Sequence, residues 1–141
     1  MKPYVALDEM TQMFRAAYPY PVELPNKPLE RDASVTHFAT LAFEHFDMAQ
    51  SALVNAESKR KYTNVGQCTI ELFFPPGIGL QEPYAVAETV REAFKGKHSP
   101  SDVWFRDVRL VEHNTRTGNP PRIPGTFQID VLFSFTYDDV S

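Results

Sequence analysis

The stretch Gly66-Gln67-Cys68-Thr69-Ile70-Glu71-Leu72-Phe73-Phe74-Pro75-Pro76-Gly77-Ile78-Gly79 decides the fold. Cys68, Ile70, Leu72 and Phe74 alternate with Gln67, Thr69, Glu71 and Phe73, the period-two pattern of a strand with one face on a core. Pro75 and Pro76 end it because proline cannot supply ladder donors, and Gly77 and Gly79 permit turn angles closed to other residues. A helix follows from about Glu82 or Pro83 to Phe94, with Tyr84, Ala87, Val90 or Arg91, and Phe94 on one stripe and Gly96 at its end. Tyr62 to Phe94 is therefore a strand–turn–helix unit.

Working outward, Leu7, Met10, Phe14 and Ala17 recur at helical spacing, which predicts a helix from about Val5 to Ala17, stopped by Pro19 and Pro21. Pro19 to Pro28 is extended, with Val22 and Leu24 as a short edge strand. Ser34 to Asp47 reads as a strand with apolar groups on both faces: Val35, Ala39, Leu41 and Phe43 on one, Phe38, Ala42 and Phe46 on the other. Met48 to Lys61 is polar and reads mainly as an exposed connection. Val103 to His113, irregular near Asp107, and Phe127 to Tyr137 are the last two strands. The Asn114–Gly125 link between them is longer than ordinary hairpin loops. The expectation is an α+β fold, a mixed or antiparallel sheet of four to five strands packed by two helices, in the order α-β-β-β-α-β-β. Residues 1–141 form one domain, with flexible loops near 48–61 and 114–125.

A chain of 141 residues can bury one core without metal or disulfide support. Its 43% hydrophobic content, with eleven Phe, six Tyr and one Trp, exceeds that of a disordered chain. The net charge of −4, with both signs scattered, is unlike the basic face of a nucleic-acid binder. Lys59-Arg60-Lys61 is the one basic run. Cys68 is the single cysteine, so no internal disulfide forms, and its place in the strand pattern makes it a small buried hydrophobe. The start of the chain lacks the apolar run of a signal peptide, and no stretch approaches the ~20 apolar residues of a membrane span. A soluble protein made in a cytoplasm, with no membrane partner, is expected.

The candidate chemistry is thin. His37, His45, His98 and His113 form no metal-type pair, and His37 and His45 on one strand would stand roughly 25 Å apart. Glu30 with Asp32 lies in a proline-bounded linker, and Asp138 with Asp139 sits beside the chain end, poor supports for acid–base work. Gly77-x-Gly79 between strand and helix invites a phosphate reading. Glu82 stands where a dinucleotide fingerprint needs a third glycine, and no Lys-Ser or Lys-Thr follows. The glycines make a turn. No catalytic residue, cofactor or metal ligand is assigned, and an enzyme is not expected.

Taken as a series, Gly66 opening a strand that ends in Phe-Pro-Pro-Gly-Ile-Gly, then a helix with Ala85, Ala87, Glu88 and Val90, then Val103 and Phe105, a glycine-containing loop, and Phe127-Gln128-Ile129-Asp130-Val131 closing on Tyr137-Asp138, resembles the tail terminator (tail-completion) family of long-tailed bacteriophages. The N-terminal helix, the Tyr-Pro-rich stretch after it and Asn26 are similar to that family too. The start of the Val35–Phe46 strand and the insertion-like Met48–Lys61 depart from it. The resemblance implies a structural assembly protein of the virion, at the head-proximal end of the tail and assembled in the bacterial cytoplasm. It would form a ring, typically a hexamer, on the completed tail tube, end tube polymerisation and join the head. Its partners would be further copies of itself, the major tail tube protein and a head-completion or connector protein, with DNA passing through the ring. Pro75, Pro76, Gly77 and Gly79 are then fold-marking turn residues. Lys59, Arg60, Lys61, Arg116 and Arg122 are the expected assembly-interface residues, because tail tubes tend to present acidic surfaces. A head–tail connector or minor tail protein of the same fold group is the alternative. A small ligand-binding or enzymatic α+β domain, with its site beside Pro75–Gly79, is the more distant one.

Overall fold

The computed structural model describes residues 1–29, 34–53 and 60–140. The chain runs through helix α1 (Pro3–Ala17), strands β1 (Val22–Glu23), β2 (Phe38–Leu53) and β3 (Arg60–Phe74), helix α2 (Gln81–Phe94), and strands β4 (Trp104–Glu112) and β5 (Phe127–Val140). This is the order expected from the sequence. The five strands form one mixed sheet in the order β1-β2-β3-β5-β4. Among the described residues only β1 and β2 are parallel neighbours; β2–β3, β3–β5 and β4–β5 are antiparallel. Helix α2 carries the chain from β3 to β4, and β5 then inserts between them.

The core lies on one face of the sheet. Cys68, Ile70, Leu72 and Phe74 of β3 and Ile129, Val131, Phe133 and Phe135 of β5 are fully buried there, as the alternation requires. Ala6, Met10 and Phe14 of α1 and Ala87, Val90 and Phe94 of α2 cover them. Phe94 stacks on Phe133 at 4.4 Å between ring centres, and Phe105 meets both edge-on. Each such side chain removed from water stabilises the fold by roughly 1.5–3 kcal/mol. Gly66 belongs to this face for want of room: a Cβ there would strike the Glu44 carbonyl of β2 and the ring of Phe135, its ladder partner on β5.

An aromatic chain fastens the proline-rich segment. Phe14 stacks on Tyr18, Tyr18 meets Tyr20 edge-on, Tyr20 stacks on His37, and His37 meets Phe74 edge-on. His37 Nε2 also lies 2.7 Å from Glu82 Oε1, so the acid that spoils a phosphate site instead ties the residue just before β2 to the start of α2. Gly77 and Gly79 both adopt φ of 83°, the left-handed conformation that the turn demands.

Strand structure takes in much of the segment that reads as a connection in the sequence. β2 continues to Leu53 and β3 begins at Arg60, with Met48↔Asn64, Gln50↔Tyr62 and Leu53↔Arg60 as ladder partners. Ladder hydrogen bonds are made by the backbone, so polar side chains do not prevent pairing. Register shifts at His45/Asp47 and Gln50/Ala52 break the alternation that would reveal it. Residues 54–59 lie outside the described residues, as do Glu30 and Asp32. Asp138 and Asp139, beside the chain end, are part of β5: Thr63 donates to Asp138 Oδ1, and the Met1 amino group approaches Asp139 at 3.7 Å.

Candidate functional site

The turn Pro75–Gly79 and the link Asn114–Gly125 meet at one end of the sheet, because both follow or precede strand residues of the same row, Phe74↔Phe127. The groove between them, of about 490 Å³, is lined by Leu80, Glu112, His113, Asn114, Thr115, Arg116, Pro121, Thr126 and Phe127. A neighbouring depression against Pro75, Pro76, Gly77, Gly79 and Leu80 has Thr126 as its only side-chain hydroxyl, and that group donates to the Ile123 carbonyl. Ile78 and Leu80 are exposed beside it.

The link is tied to the sheet by a polar network. Asn114 accepts from the Arg116 amide and caps a single 3-10 turn, Thr115–Thr117, which Gly118 closes. Asn119 donates to the Glu112 carbonyl. Gln128, fully buried, accepts from the Arg122 amide at 2.7 Å and donates to Glu71 Oε2 and Asp130 Oδ1. Arg122 Nε reaches both Glu71 oxygens at 2.9 and 3.0 Å, and its guanidinium lies 5.5 Å over the Phe73 ring. Thr40 donates to Glu71 as well. These groups occupy the sheet face opposite the helices, where Phe38 and Phe73 are also buried and stacked.

His113 stands at the hinge of the link. Its Nδ1 is 3.1 Å from the Pro120 carbonyl and its Nε2 is 2.7 Å from Asp130 Oδ2. Both of these partners accept, and an imidazolium supplies an N–H to each, while the Gln128 Nε2 amide lies 3.3 Å from the same Nε2. Burial alone would push His113 down. The hydrogen bonds to Asp130 and Pro120, with the charges of Asp130 and Glu71, outweigh it and hold the ring above the ordinary histidine value. Burial raises Asp130 above the usual carboxylate range, against the opposing bonds from Gln128 and His113.

The basic residues singled out from the sequence do not share one surface. Arg116 is exposed beside the groove. Arg122, exposed in part, is committed to Glu71 and Phe73. Arg60 and Lys61 begin β3 at the opposite end, roughly 45 Å away at strand rise, and Lys59 lies outside the described residues. Two further aromatic groups, Phe46 and Trp104, are 57% and 53% exposed on outer strands. The alternation signals both: Phe46 falls on the strand face opposite Ala39, Leu41 and Phe43, and Trp104 lies between the core positions Val103 and Phe105. Among the described residues no group of three His, Cys, Asp or Glu side chains is placed to hold a metal ion.

No protein-family model matches the chain, and no curated protein matches it in sequence. A solved structure aligns over 98% of this chain and 92% of that chain, with a TM-score of 0.55 and 16% sequence identity. At that identity the likeness is one of fold.

Proposed function

We propose that the protein is a tail terminator of a long-tailed bacteriophage, a structural piece that assembles as a ring on the completed tail tube, ends its growth and offers its other side to the head connector. The observation that carries this reading is the ordered series from Gly66 to Asp138, with its Phe-Pro-Pro-Gly-Ile-Gly turn between β3 and α2 and its closing strand β5 beside β3. The distribution of exposed groups is in keeping with it. Arg116, Ile78 and Leu80 crowd one end of the sheet, beside the turn between β3 and α2, as suits a surface that meets a partner.

The test uses purified protein and growing tail tubes observed by electron microscopy. Added protein should stop elongation and appear as a terminal ring, and Arg116→Glu should weaken capping while leaving the unfolding midpoint unchanged. A protein that neither assembles nor limits tube length, or that binds heads and ignores tubes, overturns the proposal. The second outcome would make it a connector.

A further inference from the structure

The sheet ends differently at its two sides. On one side β1 covers β2 only at Ala39 and Thr40. Beyond Thr40 no strand among the described residues lies against the outer edge of β2. On the other side β4 is the last strand, bridged on its outer edge by His98 at Trp104. Free edges present backbone donors and acceptors in the spacing another strand needs.

The side chains on these two edges are complementary. The ladders place Glu44 beside Gln67, Gln67 beside Ser134 and Ser134 beside Arg106, a single row across the face opposite the helices. That row begins with an exposed carboxylate on one edge and ends with an exposed guanidinium on the other. Neither takes part in an ion pair among the described residues. One step along, Trp104 aligns through Thr136 and Val65 with Asp47, the residue after Phe46. The two exposed aromatics thus occupy opposite edges at nearly the same height. Three antiparallel steps separate β2 from β4, so the two strands run in opposite directions. A second copy in the same orientation would bring its β2 antiparallel to β4.

We infer that the outer edge of β4, past the His98 bridge at Trp104, pairs with the outer edge of β2 on a second copy of this chain, setting Arg106 beside Glu44. The inference rests on the assembling half of the proposed function and names the surfaces that perform it. The contact is head-to-tail: each copy uses one edge of each kind, so it propagates and closes into a ring if the rotation between copies allows. Edge strands are normally protected against indiscriminate pairing by charges and bulges. β4 has both, in Arg106, Arg109 and the register break at Asp107, whose φ is 55°. Those devices admit a strand that brings an acid to the Arg106 row and disfavour others.

Disulfide trapping in the full chain tests this. The Glu44→Cys, Arg106→Cys double variant, mildly oxidised, should give a reductant-sensitive ladder of dimers, trimers and longer species. Within one copy the two positions lie about 14 Å apart, beyond disulfide reach, and Cys68 is buried. Each single variant alone should stop at dimers. In parallel, Arg106→Glu and Glu44→Arg should each weaken self-association about tenfold by sedimentation, and the charge swap combining them should restore it. Unchanged melting temperatures would show that the variants fold. No ladder at the highest soluble concentration, or a swap that fails to restore association, overturns the inference. The two proposals separate cleanly: a ladder with no capping of tubes keeps the edge contact and sinks the terminator reading, whereas capping without a ladder does the reverse.

Discussion

Gly66 shows how one residue constrains the sheet. Its backbone is ordinary extended strand; what it supplies is the space into which Phe135 leans from β5 while His45 stands on its other side, edge-on to the same ring at 5.3 Å. Gly66→Ala forces the Phe135 ring out of place, and the Glu44 carbonyl cannot yield without moving β2. The expected cost is about 1–3 kcal/mol in unfolding free energy, measured with denaturant, and Phe135→Leu in the same chain should return part of it. A Gly66→Ala variant as stable as the parent would mean that the ring has another resting place. At this scale the sequence is only half legible. A glycine opening an alternating strand is visible in the sequence, but the ring above it comes from a residue 69 positions further on and is known only once the register Gly66↔Phe135 is seen.

At the scale of elements, the strands and helices that alternate cleanly are readable, because burial on one face imposes period two on β3 and β5 and a 3.6-residue stripe on the helices. The Asn114–Gly125 link is not readable in the same way. Gln128 and Asp130 sit at the polar positions of the alternation, where the pattern says solvent, and yet the link folds over them and buries them. His113 makes this docking dependent on pH. Its value is raised in the folded chain, so its contribution is complete below the ordinary histidine range near 6.5 and is lost as pH rises through the folded value. Asp130 is raised too, and so favours the fold in the same direction, toward lower pH. The difference in urea midpoint between the parent and His113→Gln should therefore be largest at mildly acidic pH and shrink toward pH 9. A difference that is constant with pH would assign His113 to packing alone.

For the whole molecule, the feature that matters most is asymmetry: helices on one face of the sheet, the link clamped over part of the other, and unlike edges at its two sides. Cys68 offers a way to watch that body come apart. Its thiol lies fully buried in mid-β3, between Phe43 of β2 and Phe133 of β5, and burial pushes it well above the ordinary cysteine value. A thiol reagent can reach it only when the central ladders part. The labelling rate is therefore a clock for sheet opening, wound into the native chain without any engineered probe. In folded protein it should run on the order of a thousandfold or more slower than in urea. Docking of further copies along the sheet edges should slow it again, so one native sulfur would report on folding and on assembly in the same experiment.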